Sequence, residues 1–249
     1  MKAVSLEEIL VSEREPRIQN SRSAARGRLL ARPMQRIEEA MPAGLHQLGL
    51  DGSRDGLLYV PASYRADRPA PLVLMLHGAG STAHNGLAPF IRLADADGLL
   101  LLAPDSRLRT WDVILGGYGS DVTFLDRALA QTFKRCAVDP AHLAIEGFSD
   151  GASYALSLGL ANGDLFTHII AFSPGFMVPA GRNGMPHIYI SHGRSDPVLS
   201  VDRCSRRIVP QLQSAGYDVH YHEFTGFHTV PQGIAREALR WFVPTKEKL

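Results

Sequence analysis

The fold of this 249-residue chain is decided by the stretch Ile145-Glu146-Gly147-Phe148-Ser149-Asp150-Gly151-Ala152-Ser153. It contains Gly-x-Ser-x-Gly, follows a short apolar run with strand character, and precedes a run that predicts a helix. A serine on such a sharp strand-to-helix turn projects its hydroxyl clear of the sheet, and glycines are required because side chains there would collide with neighbouring elements. The helix start also directs N–H groups toward the serine, where negative charge would develop in a reaction. The stretch therefore predicts a nucleophilic Ser149 or, alternatively, a glycine-rich turn that holds an ordinary serine.

Length and composition are typical of a globular protein with one large core. The chain is 45% hydrophobic and 20% charged, and its formal net charge of +1 gives no reason to expect a nucleic-acid partner. No apolar run approaches the ~20 residues that span a bilayer. Glutamates interrupt the N-terminal segment where a signal peptide would have its apolar core. We therefore expect a cytoplasmic protein without a membrane span. Cys136 and Cys204 fall in predicted helices and are expected to be free thiols.

The first forty residues differ from the rest of the chain. Residues 6–10 place three apolar side chains on one face of a predicted helix, and the segment from Arg17 to Arg36 holds six arginines and no acid. We interpret residues 1–40 as an N-terminal extension. It is either an arm that packs on the domain or on a second subunit of a homo-oligomer, or a solvated, mobile segment. Residues 41–249 form the predicted catalytic domain.

Strand and helix signals alternate through that domain. Residues 45–50 and 56–60 flank a turn-rich linker and predict an antiparallel hairpin. Unbroken hydrophobicity in Leu72–Leu76 indicates a strand buried on both faces, as in a parallel sheet. The later predicted strands are Leu99–Ala103, Leu143–Gly147, His168–Phe172, His187–Ser191 and Val219–Phe224. The predicted helices are Gly86–Ala96, Asp121–Arg135, Ser149–Ala161, Val201–Ala215 and Thr229–Phe242. The alternation predicts an α/β fold with a mostly parallel, doubly wound sheet.

Three reactive side chains follow strands of this sheet, at the rim where ligands of doubly wound sheets bind. Ser149 follows one strand, Asp196 a later one, and His228 the last. Folds that carry a catalytic triad differ in the chain order of its residues, and serine, acid, histidine is the order found in one of them. Ser149 would attack a carbonyl, His228 would take its proton and later protonate the leaving alcohol, and Asp196 would hold the imidazole.

Other side chains compete for these roles. His77 and His192 each precede a glycine at a strand end, where a histidine usually orders a loop. Asp202 falls near the start of a predicted helix, where a carboxylate is favoured electrostatically in any case. His84 could border the site and is given no role.

Four motifs in register connect these residues to a known family. They are His77-Gly78-Ala79-Gly80, Gly147-Phe148-Ser149-Asp150-Gly151, His192-Gly193-Arg194-Ser195-Asp196 and Gly226-Phe227-His228. Gly119-Ser120-Asp121-Val122, before a predicted helix, fits the same resemblance. Together they resemble the α/β-hydrolase superfamily, in particular its small esterase branch, which includes the phospholipase/carboxylesterase family and polyhydroxybutyrate depolymerase-like esterases. The resemblance covers roughly residues 45–242. Phe227 departs from it, because many relatives have a second glycine there, and the first forty residues have no recognised counterpart.

The resemblance implies an α/β-hydrolase fold and a carboxylic ester hydrolase that acts on small-molecule esters. It implies that the backbone N–H groups of Ala79 and Asp150 form an oxyanion hole. Residues 173–186 are too few for a large cap domain, which favours esters of short or medium acyl chain. Alternatives are an acyl-thioesterase, a feruloyl or hydroxyacyl esterase, and a non-catalytic binding protein on the same fold.

The substrate pocket is less well defined by the sequence. Trp111, Phe176 and Met177 could line it, or could equally be core residues, because large apolar side chains are mostly buried. No metal and no organic cofactor is implied, since no metal-ligand spacing and no phosphate-binding loop is present.

Overall fold

The computed structural model of this chain describes residues 21–34, 37–38 and 40–243, which fold around one eight-stranded sheet. The strands are β1 Gly44–Gln47, β2 Gly56–Val60, β3 Ala70–Leu76, β4 Leu100–Pro104, β5 Val138–Phe148, β6 His168–Phe172, β7 His187–Gly193 and β8 Val219–Phe224. Neighbouring strands follow the order β1-β2-β4-β3-β5-β6-β7-β8. β2 pairs antiparallel with β1 and with β4, and the other neighbours are parallel. The predicted fold class, a mostly parallel sheet with an N-terminal antiparallel hairpin, is confirmed.

Helices cover both faces of this sheet. They are α1 Ala83–Gly86, α2 Ala94–Asp97, α3 Asp112–Leu115, α4 Ser120–Arg135, α5 Asp150–Ala161, α6 Ser205–Ser214 and α7 Gln232–Phe242. Apolar side chains of α4, α5 and α6 pack on one face, and those of α1, α2 and α7 pack on the other. In β3, Leu72 and Leu74 belong to the first cluster while Val73 and Met75 belong to the second. The strand is therefore buried on both faces, as its unbroken apolar run predicts.

Several element boundaries differ from the sequence predictions. The helix predicted over Gly86–Ala96 is wrong, because α1 ends at Gly86 and α2 begins only at Ala94. Pro89 lies between them, and a proline disfavours helical backbone at the residue before it. Cys136 and Cys204 were predicted inside helices but lie just beyond the end of α4 and just before α6. Both are buried free thiols, as expected.

The described part of the N-terminal extension lies on the domain. Leu29 is fully buried, its N–H donates to the Asn162 side chain over 2.9 Å, and Arg28 makes two 2.8 Å hydrogen bonds to the carboxylate of Asp164. Residues 28 and 29 thus pack against the domain in this structure. The helix predicted at residues 6–10 falls outside the described residues, and a homo-oligomer formed through the extension stays a prediction.

The connection from β6 to β7 itself forms no cap over the carboxyl rim of the sheet. Residues 173–186 contain neither a helix nor a strand. Among the residues described, no helix is long and apolar enough to cross a membrane.

Candidate active site

Ser149 occupies a strained turn between β5 and α5. Its backbone angles are φ 58° and ψ −119°, a region that a residue with a Cβ rarely enters. Such strain costs on the order of 1–3 kcal/mol and persists only where the surroundings hold it. Here the N–H of Ser149 donates to the carbonyl of Phe172 in β6 over 2.9 Å. The turn therefore lifts the serine side chain above the rim of the sheet.

The two motif glycines are required by close backbone contacts. A Cβ at Gly147 would lie 2.2 Å from the carbonyl carbon of Gly151, and a Cβ at Gly151 would lie 2.1 Å from the carbonyl oxygen of Leu76. Both contacts are with backbone atoms, which cannot swing away as a flexible side chain can. The collision expected from the sequence is thus present on both sides of Ser149.

The structure brings together the three side chains that the chain order predicted. Nε2 of His228 lies 2.9 Å from Oγ of Ser149, and Nδ1 of His228 lies 2.6 Å from Oδ2 of Asp196. With the proton on Nδ1, the imidazole donates to the carboxylate and accepts from the serine hydroxyl. That tautomer leaves His228 able to remove the serine proton.

Asp196 is held as a carboxylate despite its burial. Burial raises the pKa of Asp196, but hydrogen bonds from the N–H groups of Leu199 and Val198, both 2.8 Å from Oδ1, and the imidazole of His228 outweigh it, so that the pKa lies below its usual value. The side chain of Asp196 has no solvent exposure. An ionised, fixed carboxylate is what the imidazole needs to keep its orientation.

The competing histidines serve the loops around this site. Nδ1 of His77 bonds the carbonyl of Gly78 and Nε2 accepts from the N–H of Ser106, so both ring nitrogens are occupied. Buried His192 bonds the Ser205 hydroxyl and the carbonyl of Leu199, each over 2.7 Å. Burial lowers the pKa of both imidazoles, which keeps them neutral. Neither histidine replaces His228.

Two further carboxylates have partners of their own. Asp202 pairs with Arg206 at the surface over 2.6 Å. The Asp150 carboxylate accepts from the hydroxyl of Thr110 over 2.7 Å, so it is turned away from the role of triad acid.

The two residues predicted to form an oxyanion hole have free backbone donors. Ala79 lies in the wall of a cavity that also reaches Ser149, and Asp150 is the first residue of α5. Neither N–H donates to another residue in the described part of the chain. Unpartnered N–H groups beside a nucleophile suit a developing oxyanion, and this role stays a prediction.

A cavity of about 620 Å³ opens beside Ser149 and His228. Its walls come mainly from the loop after β3, from α1 with residues 88 and 89, from β5, and from residues 228–232 before α7. Its lining excludes Trp111, Phe176 and Met177. Trp111 is fully buried, stacks on Tyr154 and donates its indole N–H to the carbonyl of His77 over 2.9 Å. It therefore supports the His77 loop from the core.

One cavity residue was not singled out by the sequence analysis. Glu146 lies in β5, is 1% exposed and lines the cavity together with Ser149 and His228. The available signal was an acid inside an otherwise apolar strand, three residues before the nucleophile.

No group of three or more His, Cys, Asp and Glu side chains in the described ranges is arranged to hold a metal ion.

Comparisons with known proteins agree with this architecture. A scan against protein-family models finds no match. The chain is 30% identical over 167 residues to the probable feruloyl esterase C of Aspergillus oryzae, an alignment that covers 64% of this chain and only 60% of that protein. The structure is similar to esterase PE8, with a TM-score of 0.62 and 26% identity over 76% of this chain and 98% of the other. It is also similar to FphF, a fluorophosphonate-binding serine hydrolase of Staphylococcus aureus, with a TM-score of 0.65 and 12% identity over 81% of this chain and 99% of the other. With the observed strand order, these similarities show an α/β-hydrolase fold of the kind found in small esterases.

Proposed function

We propose that this chain, an α/β-hydrolase, cleaves carboxylic esters of short or medium acyl chain through a covalent acyl-enzyme. The observation that supports this most directly is the continuous hydrogen-bonded line from Asp196 through His228 to Ser149, placed on a strained turn beside an open cavity. Its sequence and structural relatives include proteins named as esterases.

Acylation begins when Oγ of Ser149 attacks the ester carbonyl carbon. Nε2 of His228, at 2.9 Å, takes the hydroxyl proton as the new C–O bond forms, because the neutral alcohol is a weak nucleophile. The imidazolium that results is stabilised by Asp196 at its Nδ1 side. The N–H groups of Ala79 and Asp150 would hold the oxyanion, and His228 returns the proton to the leaving alcohol.

Deacylation repeats these steps with water. His228 removes a proton from a water molecule that attacks the acyl carbonyl, and Oγ of Ser149 leaves with that proton. The products are the free acid and the regenerated enzyme.

A narrower alternative is a feruloyl or hydroxyacyl esterase with the same triad. The sequence similarity to the probable feruloyl esterase C of Aspergillus oryzae favours this alternative. Because the alignment spans less than two thirds of that protein, the ester class stays a proposal.

Replacing the nucleophile tests the proposal. We expect Ser149→Ala to lower the turnover of p-nitrophenyl butyrate by about 10⁴- to 10⁶-fold, because the loss of one triad member removes the covalent route. The matched control is Ser53→Ala, at an exposed bend whose serine is not among the residues that line the cavity, which should keep the full rate. Retention of half the wild-type rate by Ser149→Ala, with circular dichroism unchanged, would remove Ser149 from the mechanism.

A further inference from the structure

Glu146 is a buried acid without a partner. Both of its carboxyl oxygens are excluded from solvent, and neither makes a hydrogen bond within the described residues. Its strand neighbours in register are Met75 on β3 and Ile170 on β6, both apolar and fully buried. An acid therefore stands in the middle of the sheet, between two apolar strand neighbours that offer it no side-chain donor.

Such an arrangement is costly to the fold. Buried polar groups in proteins are nearly always hydrogen-bonded, and an unsatisfied one loses the full benefit of hydration. Burial raises the pKa of Glu146 well above its usual value, which favours the neutral carboxylic acid over the carboxylate. A buried carboxylic acid kept at this cost suggests that Glu146 gains a hydrogen-bond partner when a ligand fills the cavity.

The position of Glu146 relates it to the reacting groups. Side chains two residues apart in a strand share one face, so Glu146 and Phe148 lie on the same face of β5, and the Phe148 ring is 4.7 Å from the imidazole of His228. All three residues line the cavity. Three strand residues span roughly 10 Å, so Glu146 is about one small acyl or alcohol group away from Ser149.

We propose that Glu146 is a specificity-determining residue that selects esters whose cavity-bound part carries a neutral hydroxyl. This inference rests on the proposed function, because it assigns the part of the ester that the cavity accepts. A neutral carboxylic acid offers one O–H donor and free acceptor positions. A hydroxyl group can both donate to it and accept from it, whereas an alkyl or unsubstituted aryl group leaves it unpaired.

The preference follows from the cost of the unpaired acid. Because its oxygens are excluded from solvent in this conformation, the Glu146 side chain has to turn toward the cavity to meet a ligand hydroxyl, which would then be its first hydrogen-bond partner within the described residues. A site whose buried polar group is left unpaired discriminates against ligands that lack the complementary group. The cavity would thus disfavour purely apolar esters even though much of its wall is apolar.

Matched ester pairs test this selection on both sides of the ester bond. On the acyl side the pair is methyl 4-hydroxycinnamate and methyl cinnamate. On the alcohol side it is 2-(4-hydroxyphenyl)ethyl acetate and 2-phenylethyl acetate. We expect the wild-type kcat/KM to favour the hydroxyl member of at least one pair by roughly tenfold, the upper end of what one net hydrogen bond contributes.

Two substitutions separate hydrogen bonding from shape. Glu146→Gln keeps a donor and an acceptor and should retain most of the preference. Glu146→Met keeps the length of the side chain without either, and should abolish the preference or reverse it. Binding constants for the same ester pairs are also measured by calorimetry in the Ser149→Ala background. Their ratios give a second readout that does not depend on turnover.

Hydrolysis of p-nitrophenyl acetate distinguishes a failure of the proposed esterase activity from a failure of the role of Glu146. If the wild type does not cleave it, the proposed function fails, and the binding ratios still decide the role of Glu146. If cleavage occurs but both members of each pair react and bind equally, or the preference persists in Glu146→Met, the inference is overturned. A stronger preference for methyl 4-(aminomethyl)cinnamate, a cation, would also overturn it, because Glu146 would then act as a buried carboxylate.

Discussion

At the scale of single residues, the fold gives opposite surroundings to two buried carboxyl groups of the site, Asp196 and Glu146. Asp196 receives two backbone N–H donors and an imidazole, and its pKa falls below the usual value. Glu146 receives no hydrogen-bond partner from the described residues, and burial raises its pKa. The surroundings of Asp196 favour its ionised form beside His228, and those of Glu146 favour its neutral form in the cavity wall. Environment, rather than residue type, thus separates their chemistry.

This difference predicts an unusual pH dependence of stability. Above the ordinary carboxyl pKa of about 4.3 the unfolded chain releases the Glu146 proton while the folded chain retains it, so Glu146 lowers stability as pH rises toward its folded pKa. We expect Glu146→Gln to be more stable than the wild type by more than about 1 kcal/mol at pH 8, with a smaller gain at pH 5. Urea unfolding at both pH values measures this.

The control for that experiment is Glu38→Gln, whose side chain is 61% exposed. Its effect on stability should be small and nearly independent of pH. A constant gain from Glu146→Gln at pH 5 and pH 8 would show that Glu146 titrates normally in the fold.

At the scale of elements, the sequence predicts the strands and helices that depend on local pattern. It does not predict features that depend on tertiary contacts. The ranges of β6 and β8 were predicted without error, because each is a short strand between clear boundaries. The strand–serine–helix order and the later Asp196 and His228 were sufficient to name the residues that the structure brings together. The burial of Trp111 against Tyr154 depends on tertiary packing, which no local pattern encodes. Pro89, by contrast, was an available local signal for the break in the helix predicted over Gly86–Ala96.

The short β6–β7 connection predicts the range of acyl chains. Each buried methylene contributes ~0.8 kcal/mol only while an apolar wall covers it, and residues 173–186 form no helix that could extend that wall. We expect kcat/KM for p-nitrophenyl esters to fall steeply from butyryl to acyl chains of about twelve carbons or more. Assays from acetyl to palmitoyl esters measure this, and a palmitoyl optimum would contradict the open site.

At the scale of the whole molecule, the N-terminal arm and the hydrolase domain meet at the far end of α5. The helix that begins after Ser149 ends beside Asn162, which accepts from the N–H of Leu29 and donates to the carbonyl of Gly27 over 2.7 Å. We propose that the cooperative folding unit therefore extends beyond residues 41–249 to include the arm. The sequence did not single out Leu29 as a buried residue, because the arginine-rich arm has no periodic pattern of apolar residues that includes it.

Truncation of one arm residue tests that proposal. Leu29→Ala should lower the free energy of unfolding by about 2–5 kcal/mol, because Leu29 is fully buried. Leu30→Ala is the matched control, since Leu30 is 43% exposed, and its effect should stay within about 0.5 kcal/mol. Equal, small effects in urea unfolding would mean that the arm does not belong to the folding unit.

The central claim is that His228 activates Ser149 as a nucleophile, and covalent labelling tests it most directly. The protein is treated with a fluorophosphonate, digested, and the modified peptide is identified by mass spectrometry. The account predicts one adduct, on Ser149, that is absent from Ser149→Ala and forms orders of magnitude more slowly in His228→Ala. An adduct on another residue, or labelling of Ser149→Ala at the wild-type rate, would contradict it.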